Sequence, residues 1–151
     1  MSDLSLHRRG ALALLLLCSA LVLNLTACSS KQTKALKARD LALEKTTEAY
    51  RKLMRWNYFD EAAKYMKGRD TELRKPALVR YQAWKVAAYD VGDIVRNKEG
   101  DEARVVANIS IYSKETGKLT SLRDDQLWWY DEKESHWYLG SPFPDFDATT
   151  R

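Results

Sequence analysis

The residues of this chain that could do chemistry are few and acidic. Asp124 and Asp125 interrupt a run that otherwise reads as a β-strand. Consecutive strand residues point to opposite faces, so in a regular strand one of the two enters the interior. An inward carboxylate beside Tyr81, Tyr89 or Tyr112 is a candidate general base with hydroxyl donors at hand. A β-bulge that re-aims the strand and exposes both carboxylates is the competing structural reading, and it is the one expected. His136 lies close in sequence to Asp131, Glu132 and Glu134, so a His–carboxylate pair is conceivable. Its place at the mouth of a turn, among aromatics, reads first as an ordinary surface position. Asp124, Asp125 and His136 are therefore the candidates, and no catalytic residue is assigned. One His and one Cys downstream of residue 27 cannot form the common zinc sites, and no loop has calcium-type spacing. Nucleophile turns and glycine-rich phosphate loops are missing from the sequence, so no metal or cofactor is expected.

The amino-terminal stretch is of another kind. Arg8 and Arg9 precede an apolar run from Ala11 to Leu25, and Thr26-Ala27-Cys28-Ser29-Ser30 follows. A basic start, an apolar middle and a small residue before a cut make a secretory signal. The run spans 15 residues and contains Ser19 and Asn24, short of the about 20 that a membrane-crossing helix needs. Leu25-Thr26-Ala27-Cys28 resembles the lipobox of bacterial lipoproteins, whereas Cys18 follows Leu17 inside the apolar run and lacks the small residue before it. The resemblance implies that residues 1–27 are a cleaved signal peptide. It also implies that Cys28 takes a diacylglycerol and a further acyl chain, so that the membrane is a partner of the mature chain. In similar proteobacterial lipoproteins, a residue other than Asp after that Cys goes with sorting to the outer membrane. Ser29 thus implies an outer-membrane anchor facing the periplasm, with the inner membrane as the alternative.

Removal of residues 1–27 leaves 124, enough for one domain and too few for two. All five Trp and all eight Tyr lie in that part, so packing material is plentiful. Cys28 is its sole Cys, which excludes an intramolecular disulfide. Its 23 Lys and Arg against 20 Asp and Glu leave a net charge of +3 with the signs interspersed, unlike the clustered basic face of a nucleic-acid binder.

The elements that must position any site follow in order. Residues 28–37, the lipidated Cys and a small, polar, basic stretch, read as a tether of at most about 30 Å. Its lysines keep it solvated, and attraction to an anionic leaflet is the alternative. The residues from 38 to 146 read as one α+β domain, and 147–151 as a disordered tail. A first helix is predicted from Ala38 to Trp56, with Ala38, Leu41, Ala42, Ala49, Leu53 and Trp56 as its apolar stripe. Asn57 breaks it, and a short helix carries Phe59, Ala62, Ala63 and Met66 on one face up to Gly68. Four strands are predicted next. Val79–Arg96 has a bend or bulge at Gly92. Glu102–Tyr112 alternates Ala103, Val105, Ala107, Ile109 and Ile111 against polar residues. Lys118–Tyr130 and His136–Ser141 complete the meander through turns at Lys114–Gly117 and Asp131–Ser135. The expected core includes Leu41, Leu53, Phe59, Met66, Val105, Ala107, Ile109 and Ile111. A last turn over Glu132–Glu134 would place Leu127, Trp129, Trp137 and Leu139 inside. Trp128, Tyr130 and Tyr138 would then form an outer aromatic interaction surface, unless the segment Pro142–Phe146 folds back over it.

Two segments resemble the nuclear transport factor 2-like superfamily, a cone of sheet wrapped round a helix. Trp56-Asn57-Tyr58-Phe59-Asp60-Glu61-Ala62-Ala63-Lys64-Tyr65-Met66 is similar to its helix–break–helix segment. Trp129-Tyr130-Asp131-Glu132-Lys133-Glu134-Ser135-His136-Trp137-Tyr138-Leu139 is similar to its closing hairpin. The resemblance implies a helical hairpin packed on a four-stranded antiparallel sheet, cone-like, over about residues 38–146. It also implies that an inward Asp with Tyr donors would be placed as in that superfamily's isomerases and dehydratases. Together these readings give a membrane-anchored envelope lipoprotein. It would act as a non-enzymatic binding or accessory module toward an unidentified envelope protein, a second copy of itself or a small apolar ligand. A small acid–base enzyme is the alternative.

Overall fold

The computed structural model describes residues 32–150. The expected signal peptide, residues 1–27, and Cys28 lie outside the described residues. The compact unit runs from Arg39 onward. The fold is α+β, with a long helix followed by a four-stranded antiparallel sheet in the order β1-β2-β3-β4.

The first helix, α1, covers residues 32–55. Its first turns, 32–37, occupy what was expected to be a tether. Leu43, Thr46, Thr47, Tyr50 and Met54 form its buried face. That face is turned by roughly a third of a revolution from the predicted stripe, and Leu41, expected in the core, is 53% exposed. The shift has a physical reason. Thr47 donates its hydroxyl to the carbonyls of Leu43 (3.0 Å) and Glu44 (3.2 Å), so its polar atom is satisfied inside the helix. Tyr50 brings a large ring to the same side. Leu53 is partly buried against the core.

Asn57 ends α1 in a left-handed conformation (φ 62°). Its side-chain carbonyl accepts the amide of Val86 at 2.9 Å, which fixes the break against the sheet. The short α2, Phe59–Ala63, buries Phe59 and Ala62 and carries Asp60 and Glu61 in its first turn, where the helix dipole favours negative charge. Met66 is partly buried and bridges in parallel to Leu139. Gly68 follows in a turn so tight that a Cβ there would lie 1.6 Å from the carbonyl oxygen of Thr71.

A 3₁₀ helix, Leu78–Ala83, occupies the start of what was predicted as the first strand. The strands are β1 Trp84–Arg96, β2 Glu102–Ser113, β3 Leu119–Asp131 and β4 His136–Leu139. The pairing of β1 with β2 slips between Val86 and Ala88 and again between Val91 and Ile94, the second slip at Gly92 as expected. On β2, Ala103, Val105, Ala107, Ile109 and Ile111 are all buried.

The last hairpin corrects the sequence reading. Trp128 pairs with Leu139 and Tyr130 with Trp137, one residue off the expected register. The turn is Glu132–Ser135, with Asp131 Oδ1 accepting the amides of Lys133 (2.9 Å) and Glu134 (3.2 Å) and Ser135 at φ 50°. That extra residue reverses which side chains face inward. Trp128 is wholly buried and Tyr130 packs on the core, so neither belongs to an outer surface. Trp129 and Tyr138 lie on the other face, ring centroids 5.7 Å apart. The ammonium of Lys67 stands 4.6 Å over Tyr138, and the indole of Trp129 donates to the carbonyl of Lys67 at 2.6 Å. The carboxyl terminus does not cover them. Phe143 and Phe146 pack instead on Tyr81, at 5.2 Å and 5.1 Å between centroids. The expected disordered tail is, up to residue 150, a 3₁₀ helix, Phe146–Thr150, and Asp147 accepts from Trp84 Nε1 (3.1 Å) and Arg80 Nε (2.6 Å).

Candidate functional site

Asp124 and Asp125 sit in a stretch of β3 that pairs with β2 without interruption, Asp124 opposite Ala107 and Asp125 opposite Val106. The expected bulge is not there, so the two carboxylates face opposite ways. Asp125 is exposed and paired with Arg123 (2.8 Å), and that guanidinium holds its carboxyl below the usual range. Asp124 points inward.

Asp124, Gln126 and Trp128 alternate along the inner face of β3 and are joined by hydrogen bonds. The indole Nε1 of Trp128 donates to Gln126 Oε1 at 2.9 Å. An indole can only donate, so it fixes which end of the amide is oxygen. Gln126 Nε2 is then the donor on the other side, to Asp124 Oδ2 at 2.7 Å and to the hydroxyl of Tyr89 at 2.5 Å. Tyr89 reaches across from β1, past the intervening β2. Tyr50 comes down from α1, its ring edge-on to Trp128 (5.4 Å) and Tyr89 (6.4 Å). Its hydroxyl is buried and has no hydrogen-bond partner among the described residues.

Burial sets the electrostatics of this row. It pushes the Asp124 carboxyl up to about 6, against the Gln126 amide, which favours the charged form, and with a small push from Asp125. The hydroxyls of Tyr50 and Tyr89 are raised well above their ordinary range, first by burial and then by neighbouring groups that include the Asp124 charge. Burial likewise takes Tyr81 up to about 12, and its hydroxyl donates to Pro144 O at 2.9 Å. The cluster thus offers a carboxyl poised near pH 6, a protonated Tyr89 whose oxygen is already an acceptor, and a Tyr50 hydroxyl with no partner. Such a set can hold a hydrogen-bonding ligand or transfer a proton.

The other sequence candidates lie elsewhere. Tyr112 is exposed, opposite Leu119. His136 meets Tyr138 edge-on (4.9 Å between ring centroids) and lies tilted against Tyr65 (6.0 Å). The carboxylates beside it, Asp131 and Glu134, are held by Lys67 at 2.8 Å and 2.5 Å. Tyr138 donates to Glu134 and so is tied into the same group. Gln126 and Tyr50 were missed from sequence. Gln126 was legible in one respect: it sits two residues from Asp124, so whichever face takes one takes the other. Nothing in the spacing marked Tyr50. Comparison with protein-family models, with curated proteins and with solved structures gave no match.

Proposed function

We propose that the chain is a membrane-anchored lipoprotein of the bacterial cell envelope that works as a non-enzymatic binding module. Its domain is a cone of the nuclear transport factor 2-like kind, holding a small, largely apolar ligand between α1 and the inner face of the sheet. The observation that carries the binding reading is the unspent hydrogen-bonding capacity beside Asp124, above all the partnerless hydroxyl of Tyr50. A buried hydroxyl left unpaired costs about 1 to 3 kcal/mol, and a ligand that accepts from it recovers that cost. The anchor rests on Leu25-Thr26-Ala27-Cys28, and Ser29 after that Cys supports the outer membrane, facing the periplasm, with the inner membrane as the alternative. An envelope protein or a second copy of the chain would be its macromolecular partner.

Two measurements test this reading. Wild-type protein should incorporate radioactive palmitate and Cys28→Ala should not; a wild-type chain without label removes the anchor. In a thermal-shift screen of small metabolites, any stabilising compound should lose its effect in Tyr50→Phe. A hit that stabilises both proteins equally binds somewhere else.

The Asp124 carboxyl near 6 favours a second reading, a small acid–base enzyme of the isomerase or dehydratase type with Asp124 as base. A stabilising compound that is turned over by wild type and only bound by Asp124→Asn would select it.

A further inference from the structure

Near the carboxyl terminus two buried rings, Phe143 and Phe146, sit on a piece of chain that the backbone barely ties down. Residues 141–145 belong to no helix or strand. Pro142 and Pro144 have no amide to donate, and no backbone–backbone hydrogen bond joins residues 142–145 to the sheet, α1 or α2. Side chains hold the segment instead. Arg80 reaches Asp147 (2.6 Å from Nε) and Asp145 (3.4 Å), the Trp84 indole donates to Asp147 (3.1 Å), and the Tyr81 hydroxyl donates to Pro144 O (2.9 Å). The Arg80 ties are about half exposed, so each contributes little.

Phe143 reaches the candidate site. Its ring is edge-on to Tyr81 at 5.2 Å and to Tyr50 at 6.3 Å. Those two tyrosines belong to one cluster with the acidic row: after burial, the Tyr50 hydroxyl responds to Tyr89, Asp124 and Tyr81. A phenyl ring offers a hydroxyl only its weakly accepting face. With Phe143 among its neighbours, the Tyr50 hydroxyl has no hydrogen-bond partner among the described residues.

We infer that Phe143 occupies the ligand's place: the ligand is a planar ring compound of about that size, with a hydrogen-bond acceptor on its rim, which displaces Phe143 and takes the Tyr50 hydroxyl. The inference rests on the proposed reading that this row binds a small ligand, and it names the class. The incoming ring regains the burial that Phe143 gives up and adds the hydrogen bond that Phe143 lacks. Edge-on partners such as Tyr50 and Tyr81 suit a ring better than an alkyl chain. The segment competes with the ligand, so apparent affinity is reduced to the fraction of molecules in which it has left.

The test titrates the full chain with benzonitrile and with phenylacetylene, nearly the same shape without the acceptor nitrogen. Comparison within one preparation cancels partition of the probes into lipid or detergent. Benzonitrile should bind about tenfold more tightly than phenylacetylene. Its nitrile stretch should shift on binding, and Tyr50→Phe should abolish that shift. The Trp84 indole N–H resonance, assigned by its loss in Trp84→Phe, should move toward that of a solvated indole as Asp147 leaves it. Phe143→Ala should bind benzonitrile at least about tenfold more tightly than wild type. Arg80→Gln, which cuts only the exposed ties, should bind it about two- to fivefold more tightly.

A Trp84 resonance that stays in place at saturation, with unchanged affinity in Arg80→Gln, means that the ligand enters without displacing the segment. That overturns the inference, while a nitrile shift still lost in Tyr50→Phe leaves the binding reading standing. Arg80→Gln decides the matter by itself if Phe143→Ala does not fold. Equal affinity for phenylacetylene removes the acceptor from the argument and overturns it too, as does a failure of both variants to bind benzonitrile. Binding that Tyr50→Phe alters in neither affinity nor spectrum overturns the inference together with the reading beneath it.

Discussion

Replacing Asp124 by Asn should make the protein more stable at neutral pH and remove a distinctive pH dependence. In the fold the carboxyl is pushed from its usual 3.8 to about 6, chiefly by burial. At roughly 1.4 kcal/mol per pH unit, that displacement corresponds to about 3 kcal/mol. The sign follows from proton uptake. Between about pH 4 and 6 the folded chain holds a proton on Asp124 that the unfolded chain has released, so stability falls as pH rises through this window. Below the unfolded value the favourable contribution is complete, and above the folded value it is gone. Carboxyls held low behave oppositely: Glu48, drawn down to about 2 by Arg51, and Asp101, Asp125, Asp131 and Glu134 lose their contributions as pH falls below about 4 to 5. These groups are common to both proteins, so the difference between wild type and Asp124→Asn isolates Asp124. An Asn side chain can still accept from Gln126, so the row stays connected. The assay is urea unfolding of wild type and Asp124→Asn at several pH values between 4 and 7, treated as two-state. The stability difference between the proteins should open by about 2 to 3 kcal/mol from pH 4 to 7. A difference that stays constant over that range refutes the inward, desolvated carboxyl.

Ile109 is fully buried in the centre of β2, and Ile109→Ala should lower unfolding stability by about 2 to 5 kcal/mol in denaturant titrations. A loss under about 1 kcal/mol would mean that the site collapses around the change. Trp128→Glu should fail to fold, seen as loss of near-ultraviolet circular dichroism, because it puts an unpaired charge beside Tyr50 and Gln126. A folded Trp128→Glu protein would restore the outer-face register of the last hairpin. Tyr50→Phe should raise the stability of the ligand-free protein by about 1 to 3 kcal/mol, since it removes a buried hydroxyl without a partner among the described residues. A loss of stability would show that ordered water or another group already satisfies it.

Legibility followed the strength of the local pattern. The strand β2 could be read because five apolar residues alternate and all five are buried. Asn57 and Gly92 were readable as breaks because each position demands a particular backbone, left-handed in the first and bulged in the second. The face of α1 was misread because Thr46, Thr47 and Tyr50 count as polar in a periodicity, although helix carbonyls satisfy Thr47. The last hairpin was misread because one carboxylate, that of Asp131, sets the turn length, and parity along a strand depends on a single residue. Burial of Phe143 and Phe146 depends on Tyr81, more than sixty positions away, which no local pattern carries. The candidate site was half visible. An inward Asp was one of two stated outcomes, whereas the Tyr50 hydroxyl above it comes from an element 74 residues earlier.

The Asn57 side chain has a consequence for how molecules of this protein behave when crowded. β1 is a border strand of 13 residues, long enough to recruit the matching strand of a neighbour through its free amides and carbonyls. At Val86 both backbone groups are taken, the amide by Asn57 Oδ1 and the carbonyl by Arg55 Nη1 at 2.7 Å. The two slips in register farther along keep the remaining border from lying flat. On the proposed reading that Cys28 is lipidated, neighbouring copies would meet in two dimensions, where stray strand pairing is hard to avoid. The residue that stops α1 thus also blunts the border at which a chain of self-templated sheets would begin.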